Sequence, residues 1–318
     1  MKPRLVIVLT TTLATVALVL AVPNNWRAPN PEPIPNSINT SVASVSSPDP
    51  ALPLRGNLTF GASTGTALIG LTVRPAEPGP NTLLVYVLPL AGQAAAAQVR
   101  LALSVNGRNV MLDACSPTCR TADMDLVGGE HVDITTDAGT AAFELPGLPP
   151  QDGTELLQRV QQHMHQLQTY RVAETLGPAS PPLQADYVYE APDRMRLTPA
   201  KGETTVWIGS TRYSRPVNSH TWEVENFGSS LPVPSFIWEI PESSGTYVAA
   251  HIVGTATVDG LQTRILTFFL KLPQNPVWFR LWADADGLVH HASMRAQGHF
   301  MEHVYTQFDD PPSIEPPV

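Results

Sequence analysis

The stretch VGTATVDGLQTRILTFFL, residues 253–270, decides the fold. Asp259-Gly260 stands between two runs rich in Val, Ile, Thr and Phe. An Asp-Gly pair flanked by such runs marks a tight hairpin. Residues 284–287, DADG, repeat the signal after VWFRLWA. Further runs of the same kind are ADYVYEAPDRMRL, TTVWIGSTRYSR and HTWEVEN before it, and HHASMRAQGHFMEHVYTQF after it. Six or seven antiparallel strands are therefore expected in residues 150–318. One helix is expected ahead of them. Asp152-x-x-Glu155 reads as a capping box, and Leu156, Leu157, Val160, Met164 and Leu167 follow at helical spacing, which predicts a helix from Thr154 to Tyr170. His163 and His165, two apart on that helix, cannot face one another.

Outward from this α+β half, residues 54–149 break into short runs such as LIGLTVRP, NTLLVYVLP, QVRLALSV, HVDITT and TAAFELP, bounded by Gly, Pro and Asn. That rhythm predicts a β-sandwich of about 100 residues. Residues 23–53 hold eight prolines with Asn and Ser and no apolar periodicity, the composition of an extended disordered tether. At the start, Lys2 and Arg4 precede Leu5–Val22, an uncharged apolar run. Residues 1–22 fit either a membrane anchor or a secretory signal with Val19 and Ala21 before the cleavage point. In both cases the rest is exported. No Cys follows the apolar run, which leaves out a lipoprotein anchor.

A net charge of −9, with no run of Lys or Arg, argues against a nucleic-acid partner. GxSxG, HExxH, P-loop and dinucleotide glycine motifs are absent, so no catalytic residue is assigned and the chain does not read as an enzyme. Cys115 and Cys119 read as a disulfide in an oxidising compartment, with a soft-metal thiolate pair near Met111 and Met124 as the other reading.

Two resemblances follow. VRPAEPGPNTLLVYVLPLAG and VRLALSV resemble the YtkA-like and CopC-like immunoglobulin-type modules of bacterial envelopes. That likeness implies an Ig-like sandwich over 54–149. It does not carry a copper site, because His131 is the domain's one histidine. YEAPDRMRL, VWIGSTRYSR followed by Trp222, VGTATVDGLQTRIL, LWADADGLV and the closing YTQFDDPPSIEPP resemble, in that order, the LolA-like fold of the LppX/LprG-type mycobacterial lipoproteins. This second likeness implies an open antiparallel half-barrel over 150–318, a covering helix, and an apolar hollow that takes acyl chains or other lipid.

Three readings of function result. In the first, the hollow holds a hydrophobic ligand against Trp207, Trp222, Trp238, Phe268, Trp278 and Trp282, with residues 228–245 as a lid or a membrane-contact loop; the same aromatics could instead fill a core. In the second, His291, His299, Met301 and His303 bind copper, since imidazole and thioether suit that metal. Strand parity sets His299, Met301 and His303 on one face, expected to look toward solvent or the open mouth, and that face is equally readable as ordinary strand surface. In the third, the chain is a structural or adhesive ectodomain.

Overall fold

The computed structural model describes residues 49–318 apart from 91–95, 97, 178–180, 232, 240–245, 273–274, 311–312 and 318. The N-terminal run and most of the tether lie outside the described residues. Among the described residues no helix is long and apolar enough to cross a membrane. Residues Pro48–Val318 group as one compact unit.

Nine strands come first: β1 (Leu58–Ser63), β2 (Ala67–Arg74), β3 (Gly79–Pro89), β4 (Leu101–Val105), β5 (Arg108–Val110), β6 (Asp113–Ser116), β7 (Cys119–Leu126), β8 (His131–Thr136) and β9 (Gly139–Glu144). They form a five-stranded sheet, β1-β2-β3-β7-β6, and a four-stranded sheet, β5-β4-β8-β9. Leu58, Phe60, Ile69, Leu71, Val85 and Val87 of the first meet Leu103, Val132, Ile134 and Phe143 of the second in one core. This is a two-sheet sandwich. Cys115 and Cys119 are joined by a disulfide that pins the β6–β7 turn.

β2 and β3 explain their own composition. A strand with one wet face alternates; these two are apolar at both parities and buried along almost their whole length. Leu83, Val85 and Val87 enter the sandwich core, while Leu84, Tyr86 and Leu88 enter a second core on the opposite side. The five-stranded sheet is the middle of three layers.

The third layer is a 12-stranded antiparallel sheet, open at both ends, in the order β10-β17-β18-β19-β20-β21-β11-β12-β13-β14-β15-β16. Its strands are β10 (Gln151–Asp152), β11 (Thr169–Gly177), β12 (Leu183–Glu190), β13 (Arg194–Pro199), β14 (Thr204–Ile208), β15 (Thr211–Arg215), β16 (Glu223–Asn226), β17 (Thr246–Val258), β18 (Leu261–Lys271), β19 (Pro276–Ala283), β20 (Val289–Ala296) and β21 (His299–Thr306). The protein is thus mainly β, with α1 (Thr154–Met164) lying on one face of this large sheet, called here the inner face.

Curvature follows from the packing. The core around α1 takes side chains from β17 through β13, eight neighbouring strands. Flat, those strands would span roughly 34 Å at ordinary spacing. A helix about 10 Å across can share a core with all of them only if the sheet curls around it. The result is a half-barrel.

Two local expectations are corrected. The helix stops at Met164, not Tyr170. Leu167 and Tyr170 continue the apolar spacing, but Tyr170, Val172 and Glu174 then alternate inward along β11, so the period changes from helix to strand across a short turn. There is also no capping box. Gly153 is the N-cap, and the Asp152 carboxylate accepts from the Thr154 N–H at 2.8 Å. Glycine fits best there: a Cβ at 153 would press on Leu266 Cδ1 and lie 3.0 Å from the His251 backbone N and 3.1 Å from the Ala250 backbone C.

Candidate functional site

The inner face of the half-barrel is filled mostly by aromatic rings. β11 brings Tyr170, β12 brings Tyr187 and Tyr189, β21 brings Tyr305, and β18 brings Phe268. Tyr170 stacks on Tyr189 at 4.7 Å between centroids, and Tyr187 stacks on Tyr189 at 6.0 Å. What completes the filling is neither strand nor helix. Residues 233–239, VPSFIWE, are an irregular segment that drops Phe236 and Trp238 into this face, 1% and 0% exposed. Their rings stack at 4.9 Å and 6°. Phe236 meets Tyr170 at 5.3 Å, and Trp238 meets Tyr305 edge-on at 5.6 Å.

Polar contacts latch this segment at few points. The Tyr170 hydroxyl donates to the Ser235 carbonyl and accepts from the Ser235 N–H, both at 3.1 Å. The Val233 N–H donates to the Pro192 carbonyl at 3.1 Å, and the Tyr247 hydroxyl donates to the Trp238 carbonyl. Just beyond α1, His165 Nε2 lies 2.5 Å from Glu239 Oε1. Burial pushes the Glu239 carboxyl above its ordinary value, and His165 partly offsets that. Trp238 Nε1–H is fully buried without a hydrogen-bond partner among the described residues. An unpaired buried donor is costly and uncommon. The plug is therefore apolar in its bulk, irregular in its backbone, and imperfectly satisfied.

Beside it lies a buried polar chain. His303 Nε2 donates to Glu174 Oε2 at 2.8 Å, Tyr187 donates to Glu174 Oε1 at 3.2 Å, and His303 Nδ1 stands 3.1 Å from the Tyr305 hydroxyl. Burial, then the Glu174 charge, lifts the Tyr187 phenol above its ordinary range.

The six aromatics named from the sequence do not share one site. Trp238 and Phe268 sit on the inner face. Trp207 is half-buried on β14 at the margin of that core, under the Arg212 guanidinium at 5.6 Å. Trp222 packs toward Val188, Val206 and Ile314 in a separate small cluster. Trp278 and Trp282 point the other way, toward the sandwich, because on β19 they alternate with Val277, Phe279 and Leu281. The tyrosines that line the inner face were missed. Their signal was present: Tyr170 and Val172, and Tyr187 and Tyr189, alternate at strand period.

The His/Met set divides as well. Ala296 pairs with His299 across the Gln297-Gly298 turn, so parity reverses at the hairpin. His299, Met301 and His303 share a face with Ala292 and Met294, and Met301 and His303 are buried there rather than turned to solvent. His291 is on the opposite face, stacked on Trp282 at 4.2 Å. His303 already commits both ring nitrogens to Glu174 and Tyr305. Among the described residues no group of three or more His, Cys, Asp and Glu is placed to hold a metal ion.

Comparison with known proteins gives distant structural likenesses. Lipoprotein LppX of Mycobacterium tuberculosis has a TM-score of 0.38 at 13% identity, over 51% of this chain and 97% of its own. LprF of Mycobacterium bovis has a TM-score of 0.37 at 12% identity, over 52% and 99%. A DUF1329 family protein of Desulfovibrio piger has a TM-score of 0.24 at 15% identity, over 51% and 93%. The LppX-type likeness read from the sequence reappears among them; the YtkA/CopC-type likeness does not. No family model and no curated protein matches the chain.

Proposed function

We propose that the protein is a non-catalytic, exported envelope protein, held to the membrane by its N-terminal run, whose half-barrel binds an apolar ligand such as an acyl chain. The plug, residues 233–239, is the element the ligand replaces. One observation carries this reading. The inner face is completed by a short irregular segment and not by the strands and helix that frame it. Without Phe236 and Trp238 the framing elements leave an apolar hollow walled by Tyr170, Tyr189, Tyr305 and Phe268. The disulfide at the β6–β7 turn supports an oxidising location.

The energetics set the terms of exchange. Two buried aromatic side chains hold the plug in place by about 3–6 kcal/mol together, and its four hydrogen bonds to Tyr170, Pro192 and Tyr247 add about 0.5–1.5 kcal/mol each; among the described residues the Trp238 indole N–H has no partner. An acyl chain gains about 0.8 kcal/mol per buried CH₂, so a chain of about 15 carbons can replace the plug. Before binding, displacement of the plug taxes the apparent affinity. Cutting the plug's rings away should therefore strengthen binding. The test is titration of full-length protein with cis-parinaric acid. Saturable binding is expected, and Phe236→Ala/Trp238→Ala should bind at least tenfold tighter. Absence of saturable binding in both proteins rejects the reading.

A further inference from the structure

The sandwich and the half-barrel part from each other beyond Trp278. Between them lies a cavity of about 390 Å³, lined by residues 61–63 of β1, 140–143 of β9 and the outer face of β19–β21. This face is opposite the plug and plays no part in the apolar hollow. The half-barrel side is polar by register: Arg280 pairs with Ser293, which pairs with Glu302, in one row across three strands, and Trp282 pairs with His291 beside it.

The charges in this row do not balance. Glu302 is well served. It accepts from Arg295 Nη2 through one oxygen and from His291 Nε2, at 2.7 Å, through the other. Burial alone would raise its carboxyl pKa; His291 and Arg295 outweigh that and hold it below the ordinary value. Arg280 has no such partner. Among the described residues its guanidinium makes no hydrogen bond and no ion pair; it lies 5.8 Å from the Phe60 ring and 5.9 Å from the Trp282 ring. Its charge is disfavoured first by burial and then by Arg295, and Glu302 favours it without offsetting the two. Guanidinium carries five donors in a fixed fork and keeps its proton in proteins. Arg280 is half-buried, and a partly desolvated cation without a protein acceptor is costly, of which ring contacts return only part. Ser293, buried in the same row, has a hydroxyl without a partner among the described residues. The lining thus holds two guanidiniums, one carboxylate, and donors left over.

We infer that this interlayer cavity binds a small oxyanion, a carboxylate or a phosphate group, gripped by the Arg280 fork with Ser293 as an added donor. A fork facing two oxygens of one planar or tetrahedral anion is the geometry guanidinium serves best. The Phe60 and Trp282 rings flank the guanidinium. The anion comes either from solution or from the headgroup of an acidic lipid.

Both sources are separable on the full-length protein by calorimetric titration at constant ionic strength with inorganic phosphate, benzoate, and dihexanoyl phosphatidylglycerol below its micellar concentration. Saturable binding of phosphate or benzoate indicates a free anion; binding of the short-chain lipid alone indicates a headgroup. In either case Arg280→Met, which keeps bulk and drops charge, should weaken binding at least tenfold while leaving binding of the uncharged apolar probe N-phenyl-1-naphthylamine unchanged. Ser293→Ala should weaken it severalfold and serves if the Arg280 variant does not fold. Phosphate or the lipid should also raise the wild-type melting temperature saturably, beyond matched chloride. Failure of all three probes to bind wild type overturns the inference, as does undiminished binding by both variants.

Discussion

Gly70→Ala is a change of one methyl group that the three-layer arrangement makes expensive. Gly70 on β2 lies directly opposite Gly61 on β1. Trp278 of the half-barrel lies across this pair: a Cβ at 70 would stand 2.3 Å from its Cζ2, and a Cβ at 61 would stand 2.3 Å from its Cβ. The indole cannot retreat. It is 1% exposed, with Phe269 at 5.0 Å and Tyr86 at 5.6 Å, and its Nε1–H donates to Thr59 Oγ1 at 2.8 Å. Overpacking a well-filled site costs about 1–3 kcal/mol. Neither glycine has the positive φ that would itself penalise alanine, so the cost is steric and belongs to the contact with Trp278. Trp278→Ala should cost about 3–5 kcal/mol, since it empties the second core between the layers. In that background the Gly70 methyl falls into vacated space, and an alanine in a strand interior is otherwise better than glycine. The double variant should be no less stable than Trp278→Ala alone. Urea unfolding of the four proteins of the cycle measures this coupling, expected at about 1–3 kcal/mol. If Gly70→Ala costs the same in both backgrounds, the indole does not pack on the glycine pair and the account of how the layers join fails.

Other perturbations test other parts. Glu174→Leu removes the acceptor of His303 and Tyr187 from a buried site and should cost about 2–4 kcal/mol by urea unfolding; a neutral result would mean water already serves that chain. His251 Nε2 on β17 donates to the Asn57 carbonyl at 3.0 Å, bridging half-barrel and sandwich, and burial, its largest influence, lowers its pKa below 6.5. The unfolded chain then binds the proton first, so this group costs stability as pH falls from about 6.5 toward the lowered folded value and nothing above it. His251→Gln should flatten that part of the stability–pH curve, and an unchanged slope would refute the assignment. The Cys115–Cys119 bond closes only a small loop, and its reduction should lower stability by about 2 kcal/mol without unfolding the protein, as followed by circular dichroism with and without reductant.

The Asp-Gly hairpins, the start of α1 and most strand runs were legible because local periodicity fixes them; the count was not, since ADYVYEAPDRMRL, TTVWIGSTRYSR and HHASMRAQGHFMEHVYTQF each hold two strands, and twelve stand where six or seven were expected. The apolar runs of β2 and β3 also said, in retrospect, that these strands are covered on both sides; one alternating half would have meant an exposed face. What periodicity could not give was which face each strand turns to which neighbour. Trp278 and Trp282 share a strand with Phe279, yet alternate away from it to meet the sandwich. A two-residue turn at Gln297-Gly298 was enough to move Met301 and His303 from the expected wet face to the core. Residues 228–245 were expected as a lid or membrane-contact loop, but the entry of 233–239 into the core was not legible, because that segment has no period and its two rings are placed by tertiary contact. The Arg280 cavity escaped for the same reason, since it depends on β9 and β19 approaching from opposite halves of the chain.

The measurement closest to the central claim is photo-crosslinking of the full-length protein with a diazirine-bearing fatty acid, the adducts being located by peptide mass spectrometry. The account predicts competable adducts on inner-face residues, among them Tyr170, Tyr189, Met301 and Tyr305, and more of them in Phe236→Ala/Trp238→Ala. Adducts confined to the outer face or to the N-terminal run, or unchanged by removing the two rings, would contradict it.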